Sequence, residues 1–70
     1  MNRTAVSSSD LKSVGFSESE MTLEIEFLSG GIYQYSNVPK SIFDGLLSAG
    51  SKGKYFHQFV RDQFPTTKMS

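Results

Sequence analysis

Lys52, Lys54, His57 and Arg61 carry the side chains in this sequence best suited to meeting a phosphate. Lys54, His57 and Arg61 are spaced i, i+3 and i+7, so a helix through them would carry one basic stripe. A second chemistry sits mid-chain in Tyr33-x-Tyr35. Two rings at alternate positions of a strand share a face, and aromatic faces of that kind stack RNA bases. The same rings also fill small α+β cores, and the apolar residues around them favour the core or its rim. These six residues, Tyr33, Tyr35, Lys52, Lys54, His57 and Arg61, form the candidate RNA-contacting set.

Other chemistries fail on spacing. Gly50-Ser51-Lys52-Gly53-Lys54 has the composition of a phosphate loop. Counting back from Gly53-Lys54, however, puts Ser48 where that loop needs its first glycine, and Tyr55 where it needs a magnesium-binding hydroxyl. What remains is a turn whose amides and lysines suit a single phosphate. With no cysteine and a single histidine, neither a thiolate nucleophile nor a zinc site can be assembled. Glu24 and Glu26 alternate along one strand and are expected on its solvent face. Nothing there would distinguish an acid from a base, and keeping the sheet soluble is their expected role. No catalytic, cofactor-binding or metal-binding residues are assigned.

The chain that must position these groups has 70 residues, seven of them basic and seven acidic. Residues 1–39 hold two basic side chains against five acidic ones, and residues 40–70 hold five against two. A bias of three charges per half is modest beside that of dedicated nucleic-acid binders. One domain is expected, burying only about 60% of its unfolded surface. No apolar run approaches the ~20 residues of a membrane span, and Met1–Asp10 lacks the apolar centre of a secretory leader, which points to the cytoplasm.

Leu23, Ile25 and Phe27 alternate with Glu24 and Glu26, which predicts a half-buried strand. Ile32–Ser36 alternates likewise after Ser29-Gly30-Gly31, so the two runs form a hairpin. A three-residue loop, Ser29 to Gly31, would pair Phe27 with Tyr33 and Ile25 with Tyr35. Leu23, Ile25, Phe27, Tyr33 and Tyr35 would then share one face, while Glu24, Glu26, Gln34 and Ser36 share the other. Gly31 is expected at the left-handed position. Val14 and Phe16 mark the end of an earlier strand, with weak pairing by Val6–Ser9. Pro39 begins a helix capped by Asn37 or Val38, with Ile42, Leu46 and Ala49 on its apolar stripe and Gly45 as a weak point. Ser51 caps a second helix whose apolar side is Tyr55, Phe56, Phe59, Val60 and Phe64, and which Pro65 ends. Phe27 and Phe59 are both expected in the core. The resulting fold class is α+β, a three-stranded antiparallel β-meander followed by two short helices on one face of the sheet (β-β-β-α-α). The domain covers 6–64, with 1–5 and 65–70 as loose tails.

Read in order, Ser7-Ser8, Val14-Gly15-Phe16, Leu23-x-Ile25-x-Phe27, Gly30, Tyr33-x-Tyr35, Val38-Pro39, Leu46-Leu47-x-Ala49, Ser51-Lys52-Gly53 and Phe56 through Arg61 resemble the KTSC domain. That family comprises a small module at the C-terminus of some lysyl-tRNA synthetases, also found alone in bacterial and phage proteins. Phe16 stands where the family pattern suggests Tyr, and His57 where Asn is common. The resemblance implies an α+β domain of undetermined function, with weak binding of tRNA-like RNA proposed by association with a synthetase; the residues themselves point to a non-enzymatic module. The alternative is a protein-interaction or structural adaptor module of a bacterium or phage. Neither a membrane partner nor a small-molecule substrate is indicated.

Overall fold

A computed structural model describes residues 1–70. The chain forms β1 (Thr4–Ala5), β2 (Leu11–Ser17), β3 (Thr22–Phe27), β4 (Ile32–Tyr35), α1 (Lys40–Ser48), α2 (Lys52–Tyr55), a π-helical turn (Phe56–Val60) and β5 (Thr66–Lys68). The strands make one antiparallel sheet in the order β1-β2-β3-β4-β5. The α+β architecture is as expected, but the sheet has five strands rather than three. Both extra strands are short edge strands from segments expected to be loose. Amphipathic alternation cannot mark strands of two and three exposed residues.

The central hairpin has the expected face sorting in a different register. Leu23 pairs with Tyr35 and Ile25 with Tyr33, two residues away from the expected pairing. The loop does have three residues, but they are Leu28, Ser29 and Gly30. Phe27 N–H donates to Gly31 O at 2.9 Å, Gly30 N–H donates to Phe27 O at 2.9 Å, and Gly30 rather than Gly31 takes the positive φ of 110°. A two-residue shift preserves parity, so each side chain keeps its face. In β2 the register slips between Leu11 and Ser13. A bulge at Lys12 therefore turns both Leu11 and Val14 inward despite their odd spacing.

One face of the sheet carries the core. Leu11, Val14, Leu23, Ile25 and Tyr35 meet Val38, Leu46, Phe56 and Val60 there. Helix α1 starts with Pro39 itself at the cap position and no side-chain cap, because Asn37 is used for a left-handed turn at φ 63°. Ser51 caps α2 as expected, its Oγ accepting from Lys54 N–H at 3.4 Å. Gly45 is the point of contact between the helical segments. A Cβ there would lie 2.8 Å from Tyr55 Cζ.

The second helix ends at Val60, well before Pro65, and closes with a π turn in which Arg61 N–H donates to Phe56 O at 2.9 Å. The wider turn holds one more residue than an α turn. Val60 consequently stays over the core beside Phe56, while Phe59 swings outward and is 43% exposed. Its ring stays against Tyr55, 4.7 Å between centroids. Asp62 at φ 62° then turns the chain so that Pro65 O accepts from Ser36 N–H at 2.9 Å, and β5 runs beside β4.

The opposite face is closed by polar groups, which corrects the expectation of two solvated glutamates. Glu24 is only 7% exposed and Glu26 is half-buried. Gly15 lies opposite Glu24, and its missing side chain leaves room for Asn2 and Arg3 to cross the sheet. Arg3 Nη1 pairs with Glu24 Oε2, Arg3 Nε donates to Ser13 Oγ at 3.0 Å, and Ser13 Oγ donates to Glu26 Oε1 at 2.9 Å. From the other side, Gln34 Nε2 donates to Glu24 Oε1 at 2.9 Å. The hydrogen bond from Gln34 is the main cause holding the Glu24 carboxyl below its usual pKa. Burial opposes it, and the hydrogen bond and charge of Arg3 assist it.

Phe56→Ala should cost about 3–5 kcal/mol and Phe59→Ala about 1 kcal/mol or less. Thermal melts of the two variants will report the difference. Because Glu24 has its folded pKa depressed below 4.5, the stability it contributes is present above that value. It is lost as pH falls through the folded pKa. Glu24→Gln should therefore melt below the parent at neutral pH, and the gap should close in acid.

Candidate functional site

A cleft of about 390 Å³ opens between the turn end of the β3–β4 hairpin and the π turn. Tyr33, Tyr35, His57 and Arg61 all line it. The structure thus gathers four of the six residues singled out in the sequence. Lys52 and Lys54 are not among its lining residues. Lys52 is half-buried with Nζ donating to Ala49 O at 3.2 Å, and Lys54 is exposed on α2.

Phe56 is the centre of the aromatic lining. Its ring meets Phe27 edge-on at 5.2 Å, Tyr35 at 5.6 Å and His57 at 5.3 Å, and Tyr33 completes the series against Phe27 at 5.7 Å. Interlocked edge-to-face rings of this kind resist rotation individually. Tyr35, 4% exposed, is a core residue whose upper edge reaches the cleft, while Tyr33 is half-buried at its side. Burial, helped by Tyr33, pushes the Tyr35 hydroxyl up to about 12 against a partial offset from Arg61. At neutral pH it is a firmly protonated group.

The polar wall is a chain of three side chains. Arg61 Nη1 lies 3.3 Å from His57 Nδ1, and His57 Nε2 lies 3.2 Å from Asp10 Oδ2. A guanidinium can only donate, so Nδ1 accepts, and the ring proton sits on Nε2 and is donated to Asp10. This assigns a neutral tautomer to His57. Ser29 also lines the cleft, which brings a serine, a histidine and a carboxylate into one cavity. A triad base needs a ring nitrogen open to the serine hydroxyl, and both nitrogens of His57 are occupied. Arg61 Nε is 3.9 Å from Asp62 Oδ2. The wall therefore balances one permanent cation against two carboxylates.

Asp10 and Asp62 are the charged lining residues that the sequence reading missed, and Phe27, Ser29, Phe56 and Thr66 also line the cleft outside the candidate set. Asp10 is placed by Ser8, whose Oγ accepts from the N–H groups of Asp10 at 3.1 Å and Leu11 at 3.2 Å. Ser8-Ser9-Asp10 does read as a local turn, but no spacing rule connects Asp10 to a histidine 47 positions later. Asp62 gave no signal beyond its charge.

The KTSC domain family model matches residues 7–64, most of the chain. This chain belongs to the KTSC domain family. A KTSC domain protein from Yersinia pestis has a crystal structure that superposes with a TM-score of 0.96 at 36% identity, covering 99% of this chain and 97% of that one. An uncharacterized protein of Stutzerimonas stutzeri is 41% identical over 63 residues, 90% of this chain and 89% of its own length. A lysine–tRNA ligase of Nostoc is 40% identical over 60 residues, 86% of this chain but 11% of the ligase. The KTSC domain thus matches a small part of that ligase and most of the Stutzerimonas protein. No helix of this KTSC domain is long and apolar enough to cross a membrane.

A raised hydroxyl pKa in the folded state means that protonated Tyr35 favours folding, and that this contribution is lost as pH rises above 10 toward about 12. In a spectrophotometric titration of the three tyrosines, one should ionise last, near pH 12, and Tyr35→Phe should remove that step.

Proposed function

We propose that this KTSC domain is a non-enzymatic binding module that takes one unstacked nucleotide of RNA into its cleft. The reading rests on one observation, the convergence of Tyr33, Tyr35, His57 and Arg61 on a single cavity. The half-buried Tyr33 ring offers a base an aromatic surface, and a guanidinium beside aromatic rings suits a base plane or a phosphate. Lys54 precedes His57 by one helical turn and adds a phosphate contact outside the cleft. Lys52 adds less, because its ammonium is engaged by Ala49 O. The lysine–tRNA ligases that share this segment, in Nostoc and in Trichormus variabilis, lend the reading support. An RNA partner also puts the module in the cytoplasm.

A protein-interaction reading has a separate location. The Tyr55–Phe59 pair and the exposed Leu47 place apolar surface on the helical side of the domain. Single exposed apolar residues are ordinary on any surface, which leaves this reading second.

One phosphate contact outside the cleft, by Lys54, predicts that log affinity for unstructured RNA falls with log salt at a slope of about −0.7. Tyr33→Ala should weaken binding by about 1–3 kcal/mol, the worth of one base–aromatic stack. Phe59→Ser should leave binding unchanged. Fluorescence anisotropy with a short labelled oligoribonucleotide measures all three. Absence of binding at low salt would defeat the RNA reading, and loss of binding in Phe59→Ser alone would move the site to the helical side.

A further inference from the structure

The polar wall of the cleft is poorly built for a phosphate. His57 is neutral, because its Nδ1 accepts from Arg61 and its Nε2 donates to Asp10. Arg61 is then the one positive charge among the lining residues, against the carboxylates of Asp10 and Asp62. An oxyanion entering between them would be repelled at close range in a partly desolvated site. An ionised carboxylate is an acceptor without a donor, so the groups it attracts are hydroxyls and N–H groups. His57 occupies only Oδ2 of Asp10, and Oδ1 of this half-exposed, cleft-lining side chain has no hydrogen-bond partner within the domain. A nucleotide bound with its base against the rings presents a sugar to that wall. In RNA this sugar carries a 2′-hydroxyl that can donate; in DNA it does not.

We infer that Asp10 accepts the ribose 2′-hydroxyl of the bound nucleotide, which makes the cleft selective for RNA over DNA while the phosphates stay outside it. The inference rests on the RNA reading and adds to it the group that distinguishes the two nucleic acids. His57 acts here as a positioning residue. Its ring, held edge-on to Phe56 and bonded to Arg61, fixes Asp10 Oδ2 and thereby orients Oδ1. The arrangement joins the loop before β2 to the π turn through a pair of residues far apart in sequence. The acceptor is therefore present only in the folded domain.

The test compares three labelled oligonucleotides of one unstructured sequence: ribo, deoxyribo and 2′-O-methyl. Each is titrated at low salt against the full chain and against Asp10→Ala. A hydrogen bond to a charged group corresponds to about a tenfold preference or more, so the ribo oligonucleotide should bind the parent at least about tenfold tighter than the other two. Asp10→Ala should abolish the preference mainly by weakening the ribo complex. Equal binding of all three by the parent would overturn the inference while leaving RNA binding intact. A preference that persists in Asp10→Ala would also overturn it. Binding of none of the three would instead remove the RNA reading beneath it. The 2′-O-methyl comparison uses the unaltered protein and stands even if the variant folds poorly.

Discussion

Glu24 is held from both sides on the sheet face that no helix covers. A domain this thin can place helices on one face only, and a five-stranded sheet left bare on the other would expose its centre to water. Here the bare face is closed by a row of polar groups running across the strands, with Arg3 reaching Glu24 over Gly15 from one edge and Gln34 meeting it from the other. A buried carboxylate costs stability unless it is paired and hydrogen-bonded, and this one is both. The same row carries β1 onto β2 and holds β3 beside β4. The apolar face opposite inherits that order, since β3, which fixes Glu24 and Glu26 on the polar face, fixes Leu23 and Ile25 inward.

The cleft belongs to the other face and depends on a different kind of rigidity. Phe56 enters it from the π turn and meets three other rings edge-on, so its lining is already ordered before any ligand arrives. Ordering costs of binding fall when a site is preorganised in this way. Modest charge and a firm aromatic floor suit a weak, selective contact better than a strong electrostatic one.

The parts legible in the sequence were those governed by parity and periodicity. Leu23, Ile25, Phe27, Tyr33 and Tyr35 sort to one face under any even shift of the hairpin, so their sidedness could be read without the register. The register itself turns on which glycine takes the positive φ, and Gly30 and Gly31 are chemically identical neighbours. Phe59 was misplaced because an α-helical period was applied to a segment that winds as a π turn, which side-chain pattern does not announce. The edge strands are too short and too exposed to carry any alternation. Of the cleft, Tyr33, Tyr35, His57 and Arg61 were found through residue type. Asp10 was not, because its partnership with His57 exists only after the two ends of the chain have met.

The π turn has a consequence for how sequences of this fold can vary. It spends one residue more than an α turn over the same distance, so length there is as constrained as chemistry. Deleting any one residue between Phe56 and Val60 would let the segment relax into an ordinary α turn. Arg61 would then rotate away from His57, and the strand that follows would be pulled back along its neighbour. Substitutions within the turn leave this phase untouched. Natural relatives should therefore keep the number of these five positions fixed even where an exposed side chain such as Gln58 varies.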